Sequence, residues 1–157
     1  LAGPLPQPGA REAAMNVKTI LAAKGDNVVS IEPTANLAAA AKLLSTHRIG
    51  AVVIRGAGGR LAGILSERDI VRAVSDHGAE ALTLPVGQVM TRNVMTCGEE
   101  DSIADIMEQM TAGKFRHLPV LRDGKLVGVV SIGDVVKQRV GEIEREAEEI
   151  REYIRSA

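Results

Sequence analysis

Aromatic side chains are almost absent from this 157-residue sequence, which has no Trp and only Phe115 and Tyr153. Proteins that bind single-stranded nucleic acid stack bases on aromatic side chains, and this sequence has no such platform. An excess of charge of one sign is also lacking, since the formal net charge is -1. A surface with balanced charge attracts neither nucleic acid nor anionic lipid, so we expect no nucleic-acid partner and no membrane partner.

Cysteine and long apolar runs are scarce as well. Cys97 is the single cysteine, so no disulfide forms within the chain and no oxidising compartment is required. No run approaches the roughly 20 apolar residues that span a bilayer, and the first residues lack the regions of a secretory signal. We therefore expect a cytoplasmic protein. His47, His77 and His117 show no metal-ligand spacing, which predicts no structural zinc.

Catalytic signatures are missing too. The sequence has no P-loop, no Gly-x-Gly-x-x-Gly motif, no nucleophile elbow and no His-Glu-x-x-His motif, so we expect no enzyme. Its length fits one compact body or two half-size repeats. Residues 1–16 are rich in Pro, Gly and Ala and show no helix or strand period, which predicts a flexible arm or a cloning remnant.

What the sequence does contain is an internal repeat. A shift of about 66 positions pairs Asn27-Val28 with Asn93-Val94, and the match continues over about fifty residues. The spacing of apolar residues predicts one amphipathic helix in each copy. The apolar positions are Leu37, Ala40, Ala41 and Leu44 in the first copy and Ile103, Ile106, Met107 and Met110 in the second. Thr34 or Asn36 is placed to cap the first of these helices, and Asp101 or Ser102 the second.

Two β-rich runs follow each predicted helix and indicate a hairpin. The first copy has AVVI and LAGIL around RGAGGR, and the second has LPVL and LVGVV around RDGK. The pair Asp123-Gly124 suits the positive φ of a tight turn, while the glycine-rich first loop is one residue longer and reduces the offset to about 65. Pro119 is expected on an edge strand, unless it gives up one ladder bond.

Ser66 and Ser131 open a second helix in each copy, with the apolar face formed by Ile70, Val71 and Val74, or by Val135, Val136 and Val140. The predicted α/β (α+β) fold is therefore strand, helix, strand, strand, helix, twice. Because neither copy buries its sheet alone, we expect the copies to pack with pseudo-twofold symmetry around a cleft. We assign residues 17–78 to the first repeat, 79–140 to the second and 141–157 to a C-terminal helical tail.

Each copy closes with the signature Gly-apolar-x-apolar-Ser-x-x-Asp-apolar, first in "GILSERDIV" and again in "GVVSIGDVV". Together with the repeated order of elements, this resembles the cystathionine β-synthase (CBS) domain pair, also called a Bateman module, over about Val17 to Val140. We expect the stand-alone type, because no partner domain is encoded. The resemblance implies a non-catalytic regulatory module without a required cofactor. Such a module binds AMP, ADP, ATP, NAD or S-adenosylmethionine in its cleft and senses energy or redox state.

The resemblance also implies which residues bind the nucleotide. Asp134 and Asp69 would accept hydrogen bonds from ribose hydroxyls, a role that suits an acceptor-only carboxylate, and Ser131 and Ser66 would contact ribose or phosphate oxygens. The alternative is purely structural, with each Ser and Asp serving as a helix cap. The remaining pocket residues that the resemblance implies are Val94 as an apolar wall for adenine, Thr96 and Pro119.

The phosphate group needs positive charge, and the two copies differ in what they offer. Arg116 and His117 directly precede the strand LPVL of the second copy, whereas the first copy has Gly50 and Ala51 there. This asymmetry predicts a competent phosphate site in the second copy and a weakened one in the first, where Arg68 partly compensates. The alternative for Arg116 and His117 is an ordinary solvated loop.

Beyond the second copy, the apolar positions of the last helix continue with spacings of four and three at Val136, Val140, Ile143, Ala147, Ile150 and Ile154. This stripe predicts either packing onto the chain's own body or contact with a partner. The resemblance implies a homodimer to which this helix contributes. The alternative to a nucleotide sensor is a dimeric scaffold or interaction module with vestigial pockets, whose target protein is unknown.

Overall fold

The structure, a computed structural model, describes residues 15–25 and 27–156. The arm predicted for residues 1–16 therefore lies almost wholly outside the described residues. The described chain forms two compact units. We call residues 27–96 and 121–128 the first-copy unit, and residues 15–25, 97–120 and 129–156 the second-copy unit.

The order strand, helix, strand, strand, helix occurs twice, as predicted. The elements are α1 (Val17–Lys24), β1 (Ser30–Ile31), α2 (Leu37–His47), β2 (Ala51–Arg55), β3 (Leu61–Ser66), α3 (Glu67–His77), α4 (Val86–Val89), β4 (Cys97–Gly98), α5 (Ile103–Gly113), β5 (His117–Arg122), β6 (Lys125–Ser131) and α6 (Ile132–Ser156). The sequence patterns did not predict the short helices α1 and α4, which precede the first strand of each copy.

Each copy forms a three-stranded sheet, in the orders β1-β2-β3 and β4-β5-β6. In the first sheet, β1 is parallel to β2, and β2 is antiparallel to β3 with Ala51 opposite Ser66. The turn between β5 and β6 places Asp123 and Gly124 at φ values of 51° and 78°. The predicted tight turn is therefore confirmed, because both of its central residues adopt positive φ.

Pro119 lies in β5, the central strand of its sheet, so the expected edge position is wrong. Its counterpart in the first copy is Val53, whose N–H donates to the Val29 carbonyl at 3.4 Å. Proline has no N–H to make this bond. The second copy gives up one ladder bond instead, beside a neighbouring strand, β4, that is only two residues long.

Aliphatic side chains build the core of the first-copy unit. Helix α2 begins at Leu37 because Asn36, rather than Thr34, caps it: the Asn36 side chain accepts the Ala39 N–H at 2.9 Å. The buried members of this core are Leu37, Ala40, Leu44, Val52, Ile54, Leu65, Ala73, Ala81 and Val86. The predicted apolar face of α2 is thus confirmed, with Ala41 half-buried at its margin.

In the second-copy unit, α5 is capped by Ser102, whose Oγ accepts the Asp105 N–H at 3.1 Å. Asp101, the alternative cap, instead accepts the Gly98 N–H at 2.8 Å. The buried residues of α5 are Ile103, Ile106 and Met110, three of the four predicted positions.

Helix α1 belongs to the second-copy unit, although it precedes the first copy in the chain. The Val17 N–H donates to the Asp101 carbonyl and the Lys18 N–H to the Glu99 carbonyl, both at 3.0 Å. The buried side chains of α1 are Val17, Ile20 and Leu21. These contacts carry the C-terminal end of α1, at Lys24, to the site described below.

The apolar residues predicted for α3 and α6 do lie on these helices, but most of them lie outside the core. Helix α3 buries Ala73 and Asp69, whereas Val71 is 68% and Val74 is 42% exposed. Helix α6 buries Val135, but the rest of its face is exposed. A helical period identifies an apolar face, but it does not say what covers that face.

Helix α6 runs for 25 residues and confirms that the predicted tail extends the last helix. The exposed fractions along its apolar stripe range from 41% to 66% at Val136, Val140, Ile143, Ile150 and Ile154. Ala147, the sixth residue of the stripe, is half-buried, so the described residues cover the stripe only in part. None of the helices in residues 15–25 and 27–156 is long and apolar enough to cross a membrane.

Gly63, in the signature of the first copy, is expected to tolerate no side chain. A Cβ atom there would lie 2.6 Å from the Met90 sulfur and 2.7 Å from the Thr91 carbonyl oxygen. We expect Gly63→Ala to lower the free energy of unfolding by about 1–3 kcal/mol in urea titrations, because the backbone of Thr91 must shift. Gly141→Ala is the control: a Cβ there finds its nearest neighbour at 3.6 Å, and mid-helix alanine is favoured by about 1 kcal/mol. Wild-type stability of Gly63→Ala would contradict this packing.

Candidate functional site

Ser131 and Asp134 lie at the first turn of α6 and bind each other reciprocally. The Asp134 N–H donates to Ser131 Oγ at 3.2 Å, and the Ser131 N–H donates to Asp134 Oδ2 at 2.9 Å. This capping box holds the carboxylate at the helix N-terminus, where the helix dipole stabilises negative charge. The hydrogen bonds from Lys24 and from the Ser131 N–H both go to Oδ2, which leaves Oδ1 as the oxygen able to accept from a ligand.

Lys24 is a functional candidate that the sequence analysis missed. Its Nζ donates to Asp134 Oδ2 at 2.8 Å and to the Val129 carbonyl at 2.9 Å. The Lys24 side chain is 42% exposed and the Asp134 side chain 25% exposed, so the pair opens to solvent on one side. A separation of 110 residues kept this pairing out of any local sequence pattern.

The ionisation of Asp134 reflects these contacts. Burial raises its pKa, but hydrogen bonds from Lys24 and from the Ser131 backbone, together with the Lys24 charge, outweigh burial. The pKa of Asp134 therefore lies below its ordinary value of 3.8. The carboxylate is ionised at neutral pH and acts as an acceptor only.

The free energy of unfolding at acidic pH is expected to report the hydrogen-bonded ion pair of Asp134 with Lys24. Because the folded-state pKa of Asp134 is lowered, its stabilising contribution is fully present above about pH 3.8 and is lost as the pH falls through the folded-state pKa. We expect wild type to exceed Asp134→Asn in unfolding free energy most at neutral pH, with the difference shrinking below about pH 3.8. Urea unfolding between about pH 7 and pH 3 measures it, and a difference that grows with acidification would contradict the assignment.

Arg116 and His117 lie beside the first turn of α6. The Ile132 N–H donates to the Arg116 carbonyl at 2.8 Å, which joins the start of β5 to the start of α6. The Arg116 side chain is exposed, and His117 is half-buried. His117 is the first residue of β5 rather than a residue preceding the strand, and Pro119 is buried two positions further along. The second-copy unit thus brings Arg116, His117, Ser131 and Asp134 to one end of α6.

The first-copy unit repeats this framework around Asp69. The Ser66 N–H donates to Asp69 Oδ2 at 2.9 Å, and the Glu67 N–H donates to the Gly50 carbonyl at 3.0 Å. Asp69 is only 8% exposed, and its ion pair is a long one, 3.9 Å from Oδ1 to the Arg72 guanidinium. Gly50 thus stands at the point of the framework where the second copy has an arginine.

The other predicted residues of the first-copy unit are more dispersed. Arg68 is exposed on α3 and forms no ion pair with a described residue, while Val94 and Thr96 are half-buried between α4 and β4. An open groove of about 760 Å³ on this unit is lined by Ala41, Leu44, Ser45, Arg48, Ile49, Gly50, Glu67, Ile70 and Val71. None of Ser66, Arg68 and Asp69 lines it.

Residues 15–25 and 27–156 contain no group of three His, Cys, Asp or Glu side chains arranged to hold a metal ion. Cys97 is buried, and burial together with the nearby Asp101 carboxylate raises its pKa to about 12. Because the thiolate is the reactive form, this cysteine is a core residue.

Comparison with known proteins identifies the family. The CBS domain model matches residues 18–76 and 86–141, one match in each copy and together more than half of the chain. The chain therefore belongs to the CBS domain family, as the repeated signature indicated.

Curated relatives and solved structures agree with this assignment. The mitochondrial CBS domain-containing protein CBSX3 of Arabidopsis thaliana is 36% identical over 73% of this chain, and the match spans 58% of that protein. A 17.7 kDa protein of Acidianus ambivalens is also 36% identical over 70% of this chain, and the match spans 66% of its length. The crystal structure of the CBS-domain protein ATU1752 from Agrobacterium tumefaciens is 46% identical, with a TM-score of 0.77 over 80% of this chain and 94% of its own.

Two further similar structures contain adenosine-type ligands. The CBS domain protein PAE2072 from Pyrobaculum aerophilum, complexed with AMP, is 29% identical with a TM-score of 0.69, over 76% of this chain and 89% of its own. The CBS domain pair of MJ0100, in complex with 5′-methylthioadenosine and S-adenosyl-L-methionine, is 27% identical with a TM-score of 0.71. That match covers 82% of this chain and 98% of the other.

Proposed function

We propose that this chain is a non-catalytic regulatory module that binds AMP, ATP or NAD through the second-copy unit and signals energy or redox state. The observation that carries the proposal is the carboxylate of Asp134, held at a helix N-terminus with Oδ1 open. A ribose offers two neighbouring hydroxyl donors, and an ionised carboxylate is the acceptor that suits them. The ligands of the two similar structures all contain such a ribose.

Charge favours a nucleotide in the second-copy unit. Arg116 and Lys24 both lie near the first turn of α6, where the helix dipole adds further positive potential. A signal would arise if the bound nucleotide favoured one conformation or assembly over another, and the shift equals its differential affinity for the two.

Isothermal titration calorimetry of the full chain against AMP, ATP and NAD tests the proposal. We expect saturable binding of at least one of these ligands. Adenine is the control ligand, because it lacks the ribose that Asp134 would bind, and we expect it to bind at least about tenfold more weakly. Absence of heat with all three nucleotides would overturn the proposal and favour the scaffold alternative.

The scaffold alternative has its best support in the first-copy unit. Gly50 replaces the arginine there, and the Arg68 side chain forms no ion pair with a described residue. We propose that the pocket around Asp69 is weak or vestigial for nucleotides, so that one ligand binds per chain. A calorimetric stoichiometry near two would contradict this assignment.

We also propose that the chain forms a homodimer through the exposed stripe of α6. A continuous apolar stripe with heptad spacing matches a second copy of itself, because the same side chains interdigitate about a twofold axis. The exposed Val71 and the open groove beside it add apolar surface on α3. The dimer and a so far unknown target protein would carry the signal.

A further inference from the structure

The ammonium group of Lys24 forms an ion pair with the carboxylate of Asp134, the proposed ribose acceptor. A lysine ammonium has three N–H donors, and two of them go to Asp134 Oδ2 and the Val129 carbonyl. No described residue accepts the third. The Lys24 side chain is 42% exposed, so this third N–H is open to a ligand beside Oδ1 of the same carboxylate.

The internal repeat shows that only the second-copy unit has a lysine at this position. An offset of about 66 positions pairs Lys24 with Met90, which packs against the core of the first-copy unit. The carbonyl equivalent to that of Val129 belongs to Ile64, and it accepts the backbone N–H of Thr91 at 2.9 Å. The first copy therefore satisfies the same carbonyl without a charge.

Two independent differences between the copies thus have the same sign. The second-copy unit has Lys24 where the first-copy unit has Met90, and Arg116 where the first-copy unit has Gly50. The carboxylate and its capping box are present in both. The second-copy unit therefore carries two additional positive charges on an otherwise equivalent framework. Its carboxylate, Asp134, is also more exposed than Asp69 of the first-copy unit.

We propose that Lys24 is a specificity-determining residue of the second-copy site, which makes the site select phosphorylated adenosine ligands over uncharged ones. This inference rests on the proposed nucleotide binding. A lone carboxylate that binds ribose repels the phosphate attached to that ribose. Lys24 offsets this repulsion by neutralising Asp134 Oδ2, and its third N–H donates to the anionic part of the ligand.

Two other roles of Lys24, a plug of the site or a tether of α1, would have different consequences for binding. A lysine that merely plugged the site would have to move away before any ligand could bind. Its removal would therefore raise the affinity for every adenosine ligand. A lysine that only tethered α1 would, on removal, weaken all ligands in parallel. A charge-selecting lysine changes the ratio of the affinities for AMP and adenosine.

The test is calorimetry with AMP and adenosine on wild type and on Lys24→Met, which keeps the length and apolar stem of the side chain. We expect AMP affinity to fall about tenfold or more, because a charge-assisted hydrogen bond is lost, while adenosine affinity stays within about threefold. Lys24→Arg should keep most of the preference for AMP. Lys18→Met is the matched control on the exposed side of the same helix and should bind both ligands as wild type does.

An unchanged ratio of the two affinities in Lys24→Met would overturn the role of Lys24 while leaving nucleotide binding intact. A parallel gain or a parallel loss for both ligands would overturn it equally, in favour of the plug or the tether. If wild type binds neither AMP nor adenosine, this inference fails, and the titrations with ATP and NAD then decide whether the proposed function fails with it. Urea unfolding of each variant verifies that the binding data refer to folded protein.

Discussion

Replacing Asp134 by alanine is expected to lower the affinity for AMP about a hundredfold or more while the chain stays folded. The variant removes the acceptor for two ribose hydroxyls. It also strands the ammonium of Lys24, which then has only the Val129 carbonyl to bind. Calorimetry with AMP measures the loss, and circular dichroism together with urea unfolding verifies the fold.

The control for this variant must also remove a carboxylate from the first turn of a helix. Asp105 serves this purpose, since it occupies the third position of α5, as Asp134 does in α6, and its N–H likewise donates to a serine cap, Ser102. Asp105→Ala is expected to remove the favourable interaction of a carboxylate with the helix dipole and to leave AMP binding unchanged. Unchanged AMP affinity in Asp134→Ala would remove the carboxylate from the site and leave it as a cap alone.

The variant Asp69→Ala tests whether the first-copy unit contributes to AMP binding. Because the first-copy unit lacks cations equivalent to Lys24 and Arg116, we expect this variant to change AMP affinity by less than about threefold. Its cost should appear in stability instead, since Asp69 is 8% exposed and accepts the Ser66 N–H. A large loss of AMP affinity in Asp69→Ala would show that the first copy also binds the nucleotide.

The fold was largely predictable because its signals are local. The spacing of Leu37, Ala40 and Leu44 predicted α2 and its buried face, and Asp123-Gly124 predicted the tight turn. These features depend on neighbouring residues and on the conformations their backbones prefer. Helix α1 escaped prediction because its eight residues bury only one short face, which is covered by a part of the chain far away in sequence.

The candidate site was predictable only where the repeat pointed to it. Ser131 and Asp134 were identified because the same pair recurs at Ser66 and Asp69, and the framework of backbone bonds confirms their equivalence. The ion pair of Lys24 with Asp134 joins residues 110 positions apart, and no periodic pattern encodes such a contact. The exposure of the apolar faces escaped prediction for the same reason, since it depends on what covers a helix.

Substituting glutamate for Ile143 and Ile150 together is expected to convert the proposed homodimer to a monomer. Both side chains lie on the exposed stripe of α6, at 50% and 46% exposure, so the substitutions leave the core of the unit intact. Each buried Ile stabilises an interface by about 1.5–3 kcal/mol, and a twofold dimer loses four of them, which raises the dissociation constant at least about a thousandfold. The introduced carboxylates also repel each other across the axis.

Size-exclusion chromatography with light scattering measures the mass of each variant. Arg155→Glu introduces the same side chain off the stripe and should remain dimeric. Ile143 lies about 14 Å along the helix from Asp134, given a rise of about 1.5 Å per residue, so the monomeric variant should bind AMP nearly as wild type does. If the double variant stays dimeric, or if wild type is monomeric, the stripe is not a homodimer interface and would contact a different partner. Loss of AMP binding in a folded monomer would instead mean that the site is completed only in the dimer.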